Sequence, residues 1–213
     1  HAENADIVER LRAEAVAAQA EAHLRTVHVA LHAALTSLDF RPRQRMLRRE
    51  DETWSGPTTA LLIATDMGLC GQFNERVVEY ALALWRREAT TARTDGGGAA
   101  DYQWIVVGAR GWERLVGAGA TVAARLDAPG SVEAVGAAAA EAVVALASRA
   151  SEGDRHRLIV VYNAPSDETI FAPRHVQLAP FQPSRWLAWP EGAPRWKTRP
   201  LLSPAPEEAL RHL

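Results

Sequence analysis

The stretch TTALLIATDMGLCGQFNERVVEYALALW, Thr58 to Trp85, decides how this chain is read. Its first eight residues form a short, continuous apolar run bounded by threonines, the pattern of a strand buried on both faces in a parallel sheet. From Asn74 to Glu88 the period changes, and Val77, Val78, Ala81, Leu82 and Trp85 recur at helical spacing. Between strand and helix lie Asp66 and the glycines Gly68 and Gly71, which enclose Leu69 and Cys70. A strand that passes through a glycine turn into a helix opens a βαβ unit. Three uses of the turn are open: a phosphate cradle, a seat for a reactive cysteine, or a purely structural turn.

The pattern repeats downstream. YQWIVVGARGWERLV reads as strand, GxxG turn at Gly108 and Gly111, and helix, and ATVAARLD offers a third short strand. Ser131 is expected to cap an Ala/Val helix reaching about Ser151, with Glu133 in its first turn, and DRHRLIVVYN is a fourth strand. Strands alternating with helices imply an α/β fold, a parallel sheet with helices on its faces. After Asn163 the chain reads as short β-like pieces around ETIFAP and RHVQLAPF, then a Pro/Trp-rich stretch, then SPAPEEALRHL as a helix beginning at a Ser203 cap.

Upstream, residues 3–38 lack Gly and Pro and have the Ala, Glu, Arg and Leu content of one long helix. Leu24, Val27, Leu31, Leu35 and Leu38 form one apolar stripe, and Ile7, Leu11, Ala15, Ala18 and Ala22 an earlier one in shifted phase. Such a helix spans roughly 50 Å, longer than a compact domain of this size is wide, and needs a partner along its length. RPRQRMLRREDE, residues 41–52, reads as a charged loop, and Gly96 to Ala99 as a break. The expected organisation is a helix over 1–40, a linker over 41–57, a central domain over 58–200 and the start of a further helix over 201–213.

Composition narrows the function classes. The chain has 213 residues and a formal net charge of -2, which disfavours a polyanionic partner such as nucleic acid. Trp186, Trp189 and Trp196, with Arg185, Arg195 and Lys197 among them, would suit base stacking only in a basic domain; a protein contact or packing over the sheet edge fits better. Lys197 is the sole lysine and Cys70 the sole cysteine, so neither an internal disulfide nor a cysteine zinc site can form. No apolar run reaches the length of a membrane span, and direct membrane insertion is not expected.

The candidate chemistry is sparse. GxxxxGK[ST] and GxGxxG are both absent, although a turn from a strand into a helix still offers amides to an anion. Cys70 beside a helix start would favour the thiolate, but a nucleophile needs a base, and His156 and His175 are candidates only by availability. His28 and His32 have the i, i+4 spacing of a metal pair without a third ligand, since His23 is rotated off that face. Asp66 stands at the carboxyl end of the first strand, where α/β proteins place functional groups, and can equally bond turn backbone. No catalytic, cofactor or metal set emerges.

At ATDMGLCGQFN the chain resembles the gamma subunit of F-type ATP synthases, whose first central-domain strand runs into a (T/S)DRGLCGxxN turn. Thr65, Asp66, Gly68, Leu69, Cys70, Gly71 and Asn74 match, and Met67 stands where that family usually has arginine. IVVGARGWERL is similar to its GxKG turn, RHRLIVVYN to its strand ending in YN or SN, HVQLAPF to its xxQLLPL segment, and RPLLSPAPEEALRHL to its YEPxPxxLLxxL entry into the last helix. Residues 3–38 do not show the family's ITKAMxMVAAAK. The chain starts without methionine and ends on a helix start, so a longer protein that carries the absent C-terminal shaft helix is expected. The resemblance implies a Rossmann-like parallel sheet, a long N-terminal helix as part of a coiled-coil shaft, and a mechanical role in which the signature turn carries no catalysis. It also implies alpha, beta and epsilon subunits and the membrane c-ring as partners, with a peripheral place on the cytoplasmic face of a bacterial plasma membrane. The rival expectation is a small nucleotide- or small-molecule-binding α/β domain using the Asp66 to Asn74 turn.

Overall fold

A computed structural model describes residues 2–50, 56–68, 72–94, 101–150, 156–166, 169–190, 193 and 210. The chain divides into two compact units, Thr53–Pro180 and His1–Glu52 with Phe181–Leu213.

The Thr53–Pro180 unit is built on a five-stranded sheet in the order β3-β2-β1-β4-β5. The strands are β1 (Thr58–Ile63), β2 (Tyr102–Val107), β3 (Val122–Leu126), β4 (Arg157–Pro165) and β5 (Phe171–Ala179). β1 pairs in parallel with both β2 and β4, β2 with β3 likewise, and β5 lies antiparallel on β4. The helices are α3 (Phe73–Thr94), α4 (Ala109–Gly117) and α5 (Val135–Ala150). They cover opposite faces because the chain winds in one direction from β1 to β3 and then returns past β1 to β4. Keeping every crossover right-handed sends α5 to the far side.

Alternation along the strands divides the core accordingly. Ala60, Leu62, Trp104, Val106, Ile159 and Val161 meet Val77, Val78, Ala81 and Leu84 of α3 and Leu115 of α4. Leu61, Ile105, Val107 and Leu158 meet Ala142 and Leu146 of α5. Each fully buried Leu, Ile or Val side chain contributes about 1.5–3 kcal/mol over its exposed state. The expected α/β fold with helices on both faces is therefore present. β5 departs from the expected short pieces: it is one continuous strand, and Pro173 within it is tolerated because an edge strand has one side free of ladder bonds. α5 begins later than expected at Ser131. Bonds from Ala134 N–H to Ser131 C=O and from Val135 N–H to Val132 C=O form a tight turn that leads into it.

In the other unit, α1 (Ala2–Ser37) is followed by α2 (Phe40–Glu50), and α6 (Pro183–Leu187) lies beyond the sheet in sequence. The long N-terminal helix is as expected; the loop over 41–52 is not, since residues 40–50 are helical. Arginine is a good helix former, and Met46 gives the segment an apolar contact with a cluster of Ala34, Leu35, Leu38, Leu210, Phe181 and Trp186. Phe181 and Trp186 pack with this unit's α1 and α2. Gly96–Ala99, Trp196, Lys197 and Ser203 lie outside the described residues.

Gly108, the N-cap of α4, has φ 93°, and a Cβ there would lie 2.8 Å from the backbone of Ala64 and Thr65. Gly119 has φ 80° but faces open space. Gly108→Ala should therefore cost about 3 kcal/mol or more in urea unfolding, and Gly119→Ala about 1 kcal/mol. Equal costs would mean that the backbone conformation alone, without the close approach, sets the requirement.

Candidate functional site

The candidate site is the carboxyl end of β1, at the point where strand order reverses between β1 and β4. Its residues are held by one another and by backbone. Asn74, 5% exposed at the start of α3, accepts the Thr65 N–H through Oδ1 at 3.0 Å. Its Nδ2 donates to Thr65 Oγ1 at 2.9 Å and to the Met67 carbonyl at 3.1 Å. An asparagine is suited to this place because its amide offers both an acceptor and two donors, and all three are used.

Asp66 reaches away from its own turn. Oδ1 accepts the Ala109 N–H at 2.6 Å and Oδ2 accepts the Ala128 N–H at 3.0 Å. Gly108 offers no side chain to cap α4, and the Asp66 carboxylate takes that place from the turn after β1. The helix N-terminus that would hold a phosphate is thus already opposite a negative charge of the protein's own. This weighs against the binding-module reading at α4. The partner amides come from the start of α4 and from the loop after β3, 43 and 62 residues downstream, which is why the sequence pointed only to bonds within the turn.

Glycine is explained by approach at one further position, Gly111, whereas Gly68 faces only the flexible end of Arg110. A Cβ on Gly111 would lie 2.7 Å from the Ala64 methyl, so α4 packs directly on β1. A Cβ on Gly68 would lie 3.3 Å from Arg110 Nη2, whose guanidinium also pairs with Glu113 at 3.0 Å. Arg110 brings a positive charge to the turn that sequence reading did not identify. Met67, in the position of the family's arginine, is 66% exposed. Leu69, Cys70 and Gly71 lie outside the described residues.

The histidines are placed apart. His156 Nε2 is 2.7 Å from Thr59 Oγ1, at the amino-terminal end of β1. His175 Nδ1 is 2.6 Å from the Tyr80 hydroxyl and ties β5 to α3. Asn163, the asparagine of the YN motif, donates from Nδ2 to the Phe73 carbonyl at 2.9 Å, linking the end of β4 to α3. In the other unit, His28 Nε2 lies 3.0 Å from the Ala188 carbonyl. The rings of His28 and His32 meet Trp186 and Trp189 edge-on at 5.1 and 5.0 Å. These tryptophans pack on α1, and Arg185 lies over the Trp186 ring at 5.5 Å. Among the described residues no three His, Cys, Asp or Glu side chains converge as metal ligands.

Two measurements test this geometry. Asp66→Ala should lose about 1–2 kcal/mol of stability, and Asp66→Asn less, since one carbonyl oxygen still accepts; equal losses would mean that the charge, not the paired acceptors, matters. His175 has its pKa lowered from 6.5, first by burial and then by Arg87 and Arg157, with Glu88 opposing. The folded state thus binds fewer protons than the unfolded chain below that value. The contribution of His175 is fully present above pH 6.5 and should decline as pH falls through the interval beneath it, a slope that His175→Gln removes.

The family described as ATP synthase matches residues 8–213. No curated protein matches the chain. Among solved structures, the chain is similar to a Tetrahymena thermophila mitochondrial ATP synthase central stalk and c-ring chain, at 16% identity and TM-score 0.44 over 89% of this chain and 83% of that one. It is similar to a chain of the Euglena gracilis mitochondrial ATP synthase rotor at 15% identity and TM-score 0.45, covering 86% of this chain and 65% of that one. A second Euglena gracilis chain, from an OSCP, F1 and c-ring structure, has 13% identity and TM-score 0.40 over 86% and 59%. The chain thus spans less than two thirds of both Euglena chains. With the family match running from the long helix to the last residue, the chain belongs to the gamma-subunit family of ATP synthases.

Proposed function

We propose that this chain is a central-stalk rotor subunit of an F-type ATP synthase. It couples ion translocation through a membrane c-ring to ATP synthesis or hydrolysis at sites on other subunits. The observation that carries this reading is the family match over residues 8–213, which takes in both the long helix and the α/β unit. α1 serves as shaft: residues 10–26 are solvent-exposed and include Leu11 at 59% and Leu24 at 55%, apolar surface suited to a second helix and to the inside of a catalytic head. The α/β unit forms the foot, with the epsilon subunit and c-ring as contacts, and alpha and beta subunits surround the shaft. In this role the Thr65 to Asn74 turn transmits force, and the side chains of Asp66 and Asn74 stiffen it.

The location that goes with this role is peripheral, on the cytoplasmic face of a bacterial plasma membrane. None of the helices among the described residues is long and apolar enough to cross a membrane. The test is isolation of the native full-length protein from its own membranes, with identification of the subunits that accompany it. Alpha, beta and epsilon subunits in a complex that hydrolyses ATP are the expected companions. Recovery as a free protein overturns the proposal and returns attention to a small ligand at the β1 turn.

A further inference from the structure

The amino-terminal edge of the sheet, at the opposite end from the β1 turn, carries a polar cluster that the rotor reading leaves unused. Tyr102 opens β2 and Arg157 opens β4, and both stand in register with Thr58 at the start of β1 between them. α3 crosses the same face and brings Glu88 to them. Arg157 Nη2 donates to Glu88 Oε1 at 2.7 Å, and the two side chains are only 17% and 18% exposed. The Tyr102 ring packs on Trp104 at 5.3 Å and on Trp85 at 6.5 Å.

Four polar atoms of this cluster are buried and make no hydrogen bond among the described residues: Glu88 Oε2, Tyr102 Oη, Trp104 Nε1 and Arg157 Nε. Buried polar atoms are nearly always bonded, because each one left alone forfeits the bond it makes to water in the unfolded chain. These four are complementary in kind. A carboxylate oxygen accepts, guanidinium and indole N–H groups donate, and a phenol does both. A single water molecule is able to accept from such donors and donate to such an acceptor at the same time. The charges of Glu88 and Arg157 already cancel, which leaves no net charge to hold an ion. Tyr102 keeps its proton, since burial and then the Glu88 charge raise its pKa, against the opposing effect of Arg157.

We propose that Glu88, Tyr102 and Arg157 form a built site for an internal water molecule, which accepts from Arg157 Nε–H and Tyr102 O–H and donates to Glu88 Oε2. Three partners is the usual number for a buried water. Trp104 Nε1–H is the neighbouring donor, available to a second water. The bound water joins the distal half of α3 to the first residues of β2 and β4, and so fastens the sheet at the end opposite Asp66. The site is a neutral hydrogen-bonding one, and its ligand is water rather than an anion or a metal.

The test uses the 213-residue chain. Diffraction at a resolution that shows ordered solvent should reveal a peak within hydrogen-bond reach of Glu88 Oε2, Tyr102 Oη and Arg157 Nε. In parallel, Tyr102→Phe keeps the ring packing and removes one partner. With the water held in place, its folding equilibrium constant should fall about fivefold to tenfold in urea titration. A dry cluster gives the opposite sign, because deleting an unpaired buried hydroxyl leaves stability unchanged or raises it. An empty position, a side chain of this chain filling that position, or a Tyr102→Phe variant as stable as the parent overturns the proposal.

Discussion

The Asp66 carboxylate accepts one amide at the start of α4 and another in the loop after β3, so one side chain in the turn after β1 holds the segments that follow two neighbouring strands. Much of the carboxyl end of the sheet depends on this arrangement. α4 starts on a residue at φ 93° that can supply no cap of its own, and it lies so close to β1 that Gly108 and Gly111 have no room for a side chain. The capping group therefore comes from the turn that follows the strand beneath. Asn74 does the equivalent for the β1 turn, taking up the Thr65 amide and the Met67 carbonyl. Between them, the two polar residues of the signature turn spend their hydrogen bonds on the protein's own backbone.

This allocation accounts for what the turn does chemically. A ligand site at a strand's carboxyl end needs free amides and an uncommitted polar group. Here the α4 amide is taken, the Asn74 side chain is 5% exposed and fully bonded, and both oxygens of the exposed Asp66 carboxylate are engaged by backbone amides. The stiffness that results suits a part that transmits force better than one that opens and closes on a substrate.

Much of the α/β unit was legible in the sequence because its signals are local. The apolar run at Thr58, the period change at Asn74 and the glycine pair at Gly108 each point to a strand, a helix or a tight turn without knowledge of anything distant. The misreadings come from non-local facts. Residues 41–52 look like a solvated loop until Met46 finds the cluster around Leu35 and Trp186. ETIFAP and RHVQLAPF look like separate short pieces until their strand is known to lie at an edge, where Pro173 is tolerated. Asp66 was recognised as a candidate, but its partners Ala109 and Ala128 are set by the sheet order, which no window of sequence contains. Arg110, placed beside Gly68, escaped notice for the same reason, as did the meeting of Glu88, Tyr102 and Arg157 from three separate elements.

The strand order has a kinetic meaning as well. β1 lies between β2 and β4, and its two borders close very different lengths of chain. The border with β2 joins residues some forty positions apart through one helix, whereas Thr58 meets Arg157 only after a loop of about a hundred residues has been brought round. Loop-closure entropy must be met before such distant contacts return any stability, so the β1-α3-β2-α4-β3 half is the natural nucleus and β4 with β5 the late arrivals. On a ribosome the order of synthesis runs the same way. The half that emerges first is the half whose contacts are local, and the central strand waits with one edge uncovered until the last part of the unit is made.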